Sequence, residues 1–416
     1  MDVVYTRCCG LDVHKRMIAA CVLLRERSKP ARQEIRRFGT MTRDLLELVD
    51  WLHSQHVTHV AMESTGVYWK PIWNILEGEF TVVLVNAQHI KAVPGRKTDT
   101  KDCQWIAELR QHGLLRSSFV PPTPIRQLRD LTRLRTSLRQ DHTAVANRMQ
   151  KVLEDANIKL ASVASDWLGV SGRAILTQLV AGEEDATKLA NLSRRRLRAK
   201  LPQMQLALEG RMNDHHRWLL RVLWDQLEFL EAQLTKVDTQ IHEHVQEYQE
   251  AITLCTTIPG IEEVAAANLL AEIGTNMDQF PSAQHLASWA GICPGNHESA
   301  GKRLSGQPRK GSAWLRRSLC QAAWAASHTK DTFLAARFRR LAARKGKKRA
   351  IVAVGHTILV IVYHVLKTKQ PYRELGADYV DHTKAKQLQR YFVQRLERLG
   401  LQVTVHSREE IAAPPT

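Results

Sequence analysis

The feature that most constrains the fold is a change in hydrophobic periodicity at VPPTPIRQL, residues 120–128. Before this proline-rich segment, short apolar stretches suited to β-strands alternate with stretches of helical spacing. After it, the pattern stays helical for more than a hundred residues. Alternating strands and helices predict a layered α/β domain with a partly parallel sheet. We therefore expect an α/β plus α chain.

Within the α/β half, each apolar segment can be assigned to a strand or a helix. The predicted strands are 5–13, 17–24, 34–40, 59–64 and 81–86, and the predicted helices are 42–55 and 99–115. The first strand ends at Asp12 and the fourth at Glu63, while Asp99 and Asp102 open the second helix.

The helical half contains a heptad pattern. Apolar residues alternate at spacings of three and four in Leu220, Leu223, Leu227, Leu230, Leu234, Val237 and Ile241. Such a seam suits a coiled coil. Two interpretations are open: a dimer-forming coiled coil, or core helices of one bundle, with 128–153 as the other helix. Between these stretches, SRRRLRAKLP (193–202) is consistent with a helical insertion.

Further along, IPGIEEVAAANLLAEIG (258–274) has the pattern of a helix-hairpin-helix element. A Pro-Gly turn precedes a helix that Gly274 ends, and the backbone N–H groups of such a turn can face a phosphate. The apolar stretch 350–366 is predicted to be a core helix. The predicted domains are 1–120, 121–250 and 251–370, followed by a tail at 371–416.

The chain is strongly basic, with 60 Lys and Arg against 42 Asp and Glu and a net charge of +18. Such an excess favours a polyanionic partner, most simply nucleic acid. The bias is sharpest over 294–350, where fifteen Lys and Arg stand against two acids.

The sequence also predicts a cytoplasmic protein without a membrane partner. The seven cysteines form no C-x-x-C pair, which argues against a zinc knuckle or a disulfide framework and fits a reducing compartment. No run of about 18 apolar residues occurs, so we expect no segment that spans a membrane. The N-terminus lacks the pattern of a secretion signal.

Four carboxylates lie where this layout can bring them together. Asp12 and Glu63 end strands, and Asp99 and Asp102 are spaced to share one helix face. Clustered carboxylates repel one another unless a cation neutralises them, and such oxygen ligands suit Mg²⁺ or Mn²⁺. Two such ions could clamp a phosphoryl transfer. Each acid by itself could equally be a helix cap or a surface residue.

The motifs GLDVHK, MESTGVYW, KTDTKD and TIPGIEEVAAANLLAEIG, followed by FPSAQHLASWAGICPGNHESAG, occur in this order. Together they resemble the DEDD transposases of the insertion-sequence-110 family, recombinases guided by a structured bridge RNA. The resemblance implies a RuvC-like (RNase H-like) N-terminal domain, a coiled coil and a C-terminal transposase domain. It also implies a dimer or tetramer that binds a guide RNA and DNA at the element ends and the target.

Carried over to this sequence, the family's acidic tetrad falls on Asp12, Glu63, Asp99 and Asp102, with Mg²⁺ or Mn²⁺ as its metal. The family's nucleophilic serine falls on Ser299 in NHESAGKR. Many relatives carry Ser-Gly where this chain has Ser-Ala, and a Ser-Gly occurs at Ser305. Ser305 is therefore the second candidate.

Several cations near these motifs are predicted to bind nucleic acid. One precedes the aspartate pair, a group surrounds the serine, and a run lies at 344–349: Lys97; Arg303, Arg309, Lys310, Arg316 and Arg317; Arg344, Lys345, Lys347, Lys348 and Arg349. The run SRRRLRAK is a further candidate. Each could also be an ordinary solvated surface.

The leading hypothesis is a metal-dependent transposase that cuts and exchanges DNA strands through a serine–DNA intermediate. One alternative is a RuvC-like nuclease in which the same acids activate water. Another is a nucleic-acid-binding protein without catalytic activity.

Overall fold

The computed structural model describes residues 3–25, 32–64, 66–86, 102–293, 297–299, 302–305, 311–383 and 385–405. For 297–299 and 302–305 only the course of the backbone is described. The chain divides into two compact units, Met1–Val120 and Pro121–Thr416.

The first unit is built on a five-stranded sheet. Its elements in chain order are β1 Arg7–Val13, β2 Ile18–Leu24, β3 Arg32–Phe38, α1 Thr42–Ser54, β4 His59–Glu63, α2 Trp69–Leu76, β5 Thr81–Val85 and α3 Asp102–Gln111. The strand order is β3-β2-β1-β4-β5. The pairs β1–β2 and β2–β3 are antiparallel, whereas β1–β4 and β4–β5 are parallel. The predicted mixed α/β class is confirmed for this half.

Helices cover both faces of this sheet. On one face, Leu11 and Met62 pack into a core with Leu48 of α1 and Ile72 of α2. On the other face, helix α3 packs against β1, β2 and β4. Because strand side chains alternate between faces, residues that alternate with Leu11 and Met62 belong to the α3 side.

The second unit is mainly helical, as predicted. Its longer helices are α4 Thr123–Asp155, α6 Val170–Ala181, α8 Leu201–Leu208, α9 Asp214–Val245, α10 Gln249–Thr256, α11 Glu263–Ile273, α13 Ala313–Ser327, α14 Phe333–Lys345, α15 Lys347–Thr368 and α17 Ala385–Glu397. Shorter ones are α5 Leu160–Val163, α7 Ala186–Asn191, α12 Ala283–Trp289 and α16 Tyr379–Thr383, with 3-10 turns at Arg195–Lys200 and Gln246–Tyr248. A small hairpin consists of β6 His297–Ser299 and β7 Lys302–Ser305.

The heptad seam packs inside the chain. Its residues Leu220, Leu227 and Leu230 are buried in one cluster with Met149 and Leu153 of α4. Three cross-helix contacts order the two helices in antiparallel fashion: Asp155 with His216, His142 with Glu231, and Arg135 with Asp238. Of the two interpretations, the intrachain helix pair is therefore the arrangement observed. The segment 156–213 forms a helical insertion at one end of this pair.

The helix-hairpin-helix pattern gives two helices joined by a turn, but the turn is not built to face a phosphate. Gly260 adopts φ 86° and has no room for a Cβ, because Ala322 and Ala326 of α13 lie against it. The helix that follows carries exposed Glu262 at its N-cap and Glu263 in its first turn. Carboxylates at this position already complement the helix dipole and would repel an anion.

Helix α15 contains the apolar stretch predicted to be core. By length and composition it could cross a membrane, and half of its most apolar stretch is buried inside the protein. The sequence analysis expected no segment of this kind, because Gly355, His356 and Thr357 interrupt the apolar residues. The mean hydropathy of the helix nevertheless stays high enough for it to qualify. Val354, Ile358 and other side chains of this helix are fully buried.

Candidate catalytic and nucleic-acid-binding sites

Two of the predicted acids are placed by neighbouring strands. Strands β1 and β4 are parallel, and Leu11 lies opposite Met62. Asp12 and Glu63 each follow one position later. Since Leu11 and Met62 point into the core under α1 and α2, Asp12 and Glu63 point to the face that α3 covers.

Helix α3 brings a third acid to that face. Asp102 is its first residue. The helix approaches β1 closely at Gly10, where a Cβ would overlap the carbonyl oxygen of Cys103 and the backbone nitrogen of Ala107. Any larger residue at position 10 would push the helix away, so Gly10 determines how near Asp102 comes to the strand ends.

The negative charges of Asp12 and Asp102 act on a common neighbour at this edge of the sheet, the thiol of Cys103. Burial raises the pKa of the Cys103 thiol, and the charges of Asp12 and Asp102 raise it further. Both carboxylates therefore act on the same thiol. Nε2 of His14, in the turn after β1, lies 3.0 Å from Oδ2 of Asp12.

The chemistry of these donors fits a divalent metal. Carboxylate oxygens at converging strand ends are the ligands that Mg²⁺ and Mn²⁺ prefer. Among the described residues, no group of three or more His, Cys, Asp or Glu could hold an ion. The fourth predicted ligand, Asp99, lies outside the described residues, as does Lys97.

The two candidate serines lie on one hairpin. Strand β6 ends at Ser299, which pairs with Lys302, and strand β7 ends at Ser305, which pairs with His297. Ser299 therefore lies beside the hairpin turn, and Ser305 lies at the hairpin's open end. The two residues thus lie at opposite ends of the hairpin, six positions apart in sequence.

The chain that follows the hairpin is anchored by a buried ion pair. Glu272 of α11 is 3% exposed and accepts two hydrogen bonds from Arg133 of α4, at 2.7 and 2.9 Å. Ser312, the N-cap of α13, donates to the same carboxylate at 3.0 Å. Arg129 also donates to the carbonyl oxygens of Ala271 and Glu272, at 2.9 and 2.7 Å. These bonds fix the start of α13 against α4 and α11.

Two predicted nucleic-acid contacts lie in the first two turns of α13. Arg317 is exposed, and its guanidinium carbon is 5.5 Å from the ring centroid of Trp314. Arg316 is half-buried on the same helix. Of the remaining predicted contacts around the serine, Arg303 has only its backbone described, and Arg309 and Lys310 lie outside the described residues.

The basic run at 344–349 forms an exposed corner. Arg344 and Lys345 end α14, Gly346 turns the chain with φ 78°, and Lys347 opens α15, followed by Lys348 and Arg349. All five cations are exposed, and none forms an ion pair with a carboxylate of the described chain. Cations at a helix N-terminus oppose the helix dipole. Helix stability alone therefore does not account for the three at the start of α15.

Two features of these sites escaped the sequence reasoning. The bond from His14 to Asp12 could have been suspected, because the two residues flank the end of β1. The anchor of Glu272 with Arg129 and Arg133 could not, because its partners are about 140 positions apart and nothing local signals the pairing.

Comparison with known proteins gives two family matches. A model of the DEDD type for IS110 elements, described as "Transposase", matches residues 9–158. A second, described as "Transposase IS116/IS110/IS902 family", matches residues 252–338. The first segment contains all four predicted acids, and the second contains both candidate serines.

Relatives among curated proteins share much of the chain. A "Probable family 20 transposase" of Pseudomonas aeruginosa is 25% identical over 318 residues, 76% of this chain and 82% of the relative. The "Transposase for insertion sequence element IS1111A" of Coxiella burnetii is 23% identical over 297 residues, 70% of this chain and 72% of the relative. A "Pilin gene-inverting protein" of Moraxella bovis is 30% identical over 154 residues, 36% of this chain and 48% of the relative.

The strand-end acids, the helical unit and these matches define the class of the protein: it is a transposase, an enzyme that acts on DNA. More particularly, it carries both transposase domains of the insertion-sequence-110 family, one in each half of the chain.

Proposed function

We propose that this transposase cuts and exchanges DNA strands through a covalent link between Ser299 and a DNA phosphate, guided by a structured RNA. Asp12, Glu63, Asp99 and Asp102 would hold the divalent metal. The observation that carries the proposal is the placement of Asp12, Glu63 and Asp102 on one face at one edge of the sheet.

The sheet supports a RuvC-like, RNase H-like first unit. Three antiparallel strands are followed by two parallel ones, with β1 in the middle and a helix after each of the last three strands. This arrangement puts the ends of β1 and β4 side by side, where ligands bind in open α/β sheets.

In the proposed reaction, the serine hydroxyl gives up its proton as its oxygen bonds to phosphorus, while the bond from phosphorus to one deoxyribose oxygen breaks. The departing oxygen takes up a proton and becomes a free hydroxyl on the DNA. Attack by the hydroxyl of another strand on the phosphoserine reverses these bond changes and joins new partners. A bound divalent ion would supply Lewis acidity and neutralise charge at the phosphate.

The position of Ser299 beside the hairpin turn supports its choice over Ser305. A residue next to a turn can approach a large substrate more readily than one at the open end, where the hairpin rejoins the protein. The buried carboxylate of Glu272 holds the N-cap that follows the hairpin, which limits the positions the serine can occupy.

The exposed cations bind the phosphates of the nucleic acid. Arg317 and the corner at 344–349 lie on the same helical unit as the hairpin. Phosphate contacts of this kind position a protein without reading sequence, which leaves specificity to base pairing with the guide RNA. A dimer would present two such surfaces and a tetramer four.

The test uses purified protein with its co-purifying RNA, Mg²⁺ and labelled DNA that carries the element junction. Wild type should form a protein–DNA adduct on denaturing gels, and so should Ser305→Ala. Ser299→Ala and Asp102→Asn should form none. Nicked DNA without adduct, unchanged in Ser299→Ala, would contradict the proposal and favour a nuclease that uses water.

A further inference from the structure

The helical insertion at 156–213 contains a cavity lined by positive charge. The cavity has a volume of about 610 Å³, and its cationic lining comprises Arg194, Arg195, Arg196 and Lys200. Asp166 is the one acid in the lining. Neither family match, 9–158 or 252–338, covers the residues that line the cavity, which lie between 163 and 200.

The three arginines of the cavity have no acidic partner among the described residues, whereas two nearby arginines do. Arg173 pairs with Glu231, and Arg217 pairs with Glu184. By contrast, the described residues provide no ion pair for the side chains of Arg194–Arg196, which are all exposed. Like charges held this close repel one another, so an anion in the cavity would relieve the repulsion.

The fold holds these arginines at the cavity. Leu192 and Leu197, on either side of the run, pack against the core of the insertion. The backbone N–H of Arg194 donates to Oγ of Ser171, in the first turn of α6, at 2.9 Å. Arg195 adopts φ 53°, a left-handed conformation that is unfavourable for a residue other than glycine. The run is thus fixed by tertiary contacts.

We propose that this cavity binds a phosphodiester group of a single-stranded or looped nucleic-acid segment. A guanidinium group can donate hydrogen bonds to two phosphate oxygens at once, and it can also stack on an unpaired base. A concave site of this volume suits a nucleotide that has left a helix better than the regular backbone of a duplex. The inference rests on the proposed function only in taking the enzyme to hold nucleic acid.

The test compares two full-length variants that each lose three positive charges. One is Arg194→Gln/Arg195→Gln/Arg196→Gln in the cavity. Its control is Arg148→Gln/Lys151→Gln/Arg211→Gln, whose residues are exposed and lie outside both the cavity lining and the run SRRRLRAK. Binding of short labelled single-stranded RNA, single-stranded DNA of the same sequence, and the duplex is measured over a series of salt concentrations.

The cavity variant should bind single strands about tenfold more weakly, or worse, while the control stays near wild type. Its salt slope should fall by about 2, since each lost single-strand contact removes about 0.7. A loss confined to RNA or to DNA identifies the source of the phosphodiester. Equal effects of the two triple variants would overturn the proposal.

A second variant keeps the test decisive if the triple variant fails to fold. Val170 lines the cavity and is 70% exposed at the start of α6. Val170→Glu adds a carboxylate that suits a helix N-terminus but repels phosphate, so single-strand affinity should fall. Unchanged affinity would overturn the proposal.

The adduct assay on the same preparations separates this inference from the proposed function. Adduct formation without a cavity-specific loss of binding overturns the cavity site alone. A cavity-specific loss without any adduct overturns the serine mechanism and supports the cavity site.

Discussion

The sheet edge of the first unit and the basic surfaces of the second unit place their charges in different ways. At the sheet edge, strand register and the close approach at Gly10 position Asp12, Glu63 and Asp102. At the corner 344–349 and at Arg194–Arg196, cations stay exposed without acidic partners among the described residues. The acids at the sheet edge depend on exact positions, so changing one residue should abolish their joint function. The exposed cations act through their summed charge, so nucleic-acid affinity should fall a little with each cation removed.

The largest expected effect is at the sheet edge. Asp102→Asn should slow DNA strand cleavage by about 100-fold or more, because metal-assisted stabilisation supplies several kcal/mol. Nucleic-acid affinity should change little, since the basic surfaces remain. Cleavage kinetics and binding titrations measure the two effects, with exposed Asp50→Asn as the control in the same unit. Cleavage at the wild-type rate would remove Asp102 from the site.

The next largest effect concerns the buried carboxylate of Glu272, which pairs with Arg133 in the helical unit. Glu272→Ala leaves Arg133 without its buried partner and should lower the free energy of unfolding by about 3–5 kcal/mol. Replacing both residues with Met should cost less, because no buried charge is left unpaired. Denaturant unfolding measures both variants. A loss below about 1 kcal/mol for Glu272→Ala would mean that the pair behaves like a surface ion pair.

A smaller effect is expected from the packing of α3. Gly10→Ala places a methyl group against Cys103 and Ala107 and should lower the free energy of unfolding by about 1–3 kcal/mol. Cleavage should fall as well, because Asp102 moves with the helix. Gly78→Ala is the matched control, since a Cβ there has no neighbour within 4 Å. Equal stability of the two variants would show that the approach at Gly10 is not tight.

The smallest effects concern the corner at 344–349. Lys347→Gln/Lys348→Gln should raise the free energy of unfolding by about 0.3–1 kcal/mol per charge, because cations oppose the dipole at a helix N-terminus. Arg344→Gln/Lys345→Gln should lower it by a similar amount at the end of α14. Both variants should reduce the salt slope of duplex binding by about 0.9 per lost contact. Unchanged slopes in both would remove the corner from the nucleic-acid surface.

Much of the sheet could be predicted from the sequence because its signals are local. The apolar segments 17–24 and 81–86 gave strands close to β2 and β5, and the helical spacing of 42–55 gave α1. Helix α2 was missed, since Pro71 and two tryptophans obscure its spacing over a short span. The acids could be named from strand ends, but their common face depends on pairing between β1 and β4.

The helical unit was harder to predict because its contacts join distant segments. The heptad seam showed a helix surface that needed a partner, and it could not show that α4 supplies it. The cavity at Arg194–Arg196 likewise depends on Ser171 and on the fold of the insertion. Sequence alone showed a basic run that was equally consistent with a solvated surface.

The central claim is that Ser299 becomes bonded to DNA, and peptide mapping of the adduct tests it most directly. Cleavage after Glu298, Lys302, Arg303 and Arg309 separates the candidates into fragments 299–302 and 304–309. After nuclease digestion, mass spectrometry should find a nucleotide on fragment 299–302. A nucleotide on 304–309 would assign the reaction to Ser305. Cleaved DNA with both fragments unmodified would contradict a serine intermediate.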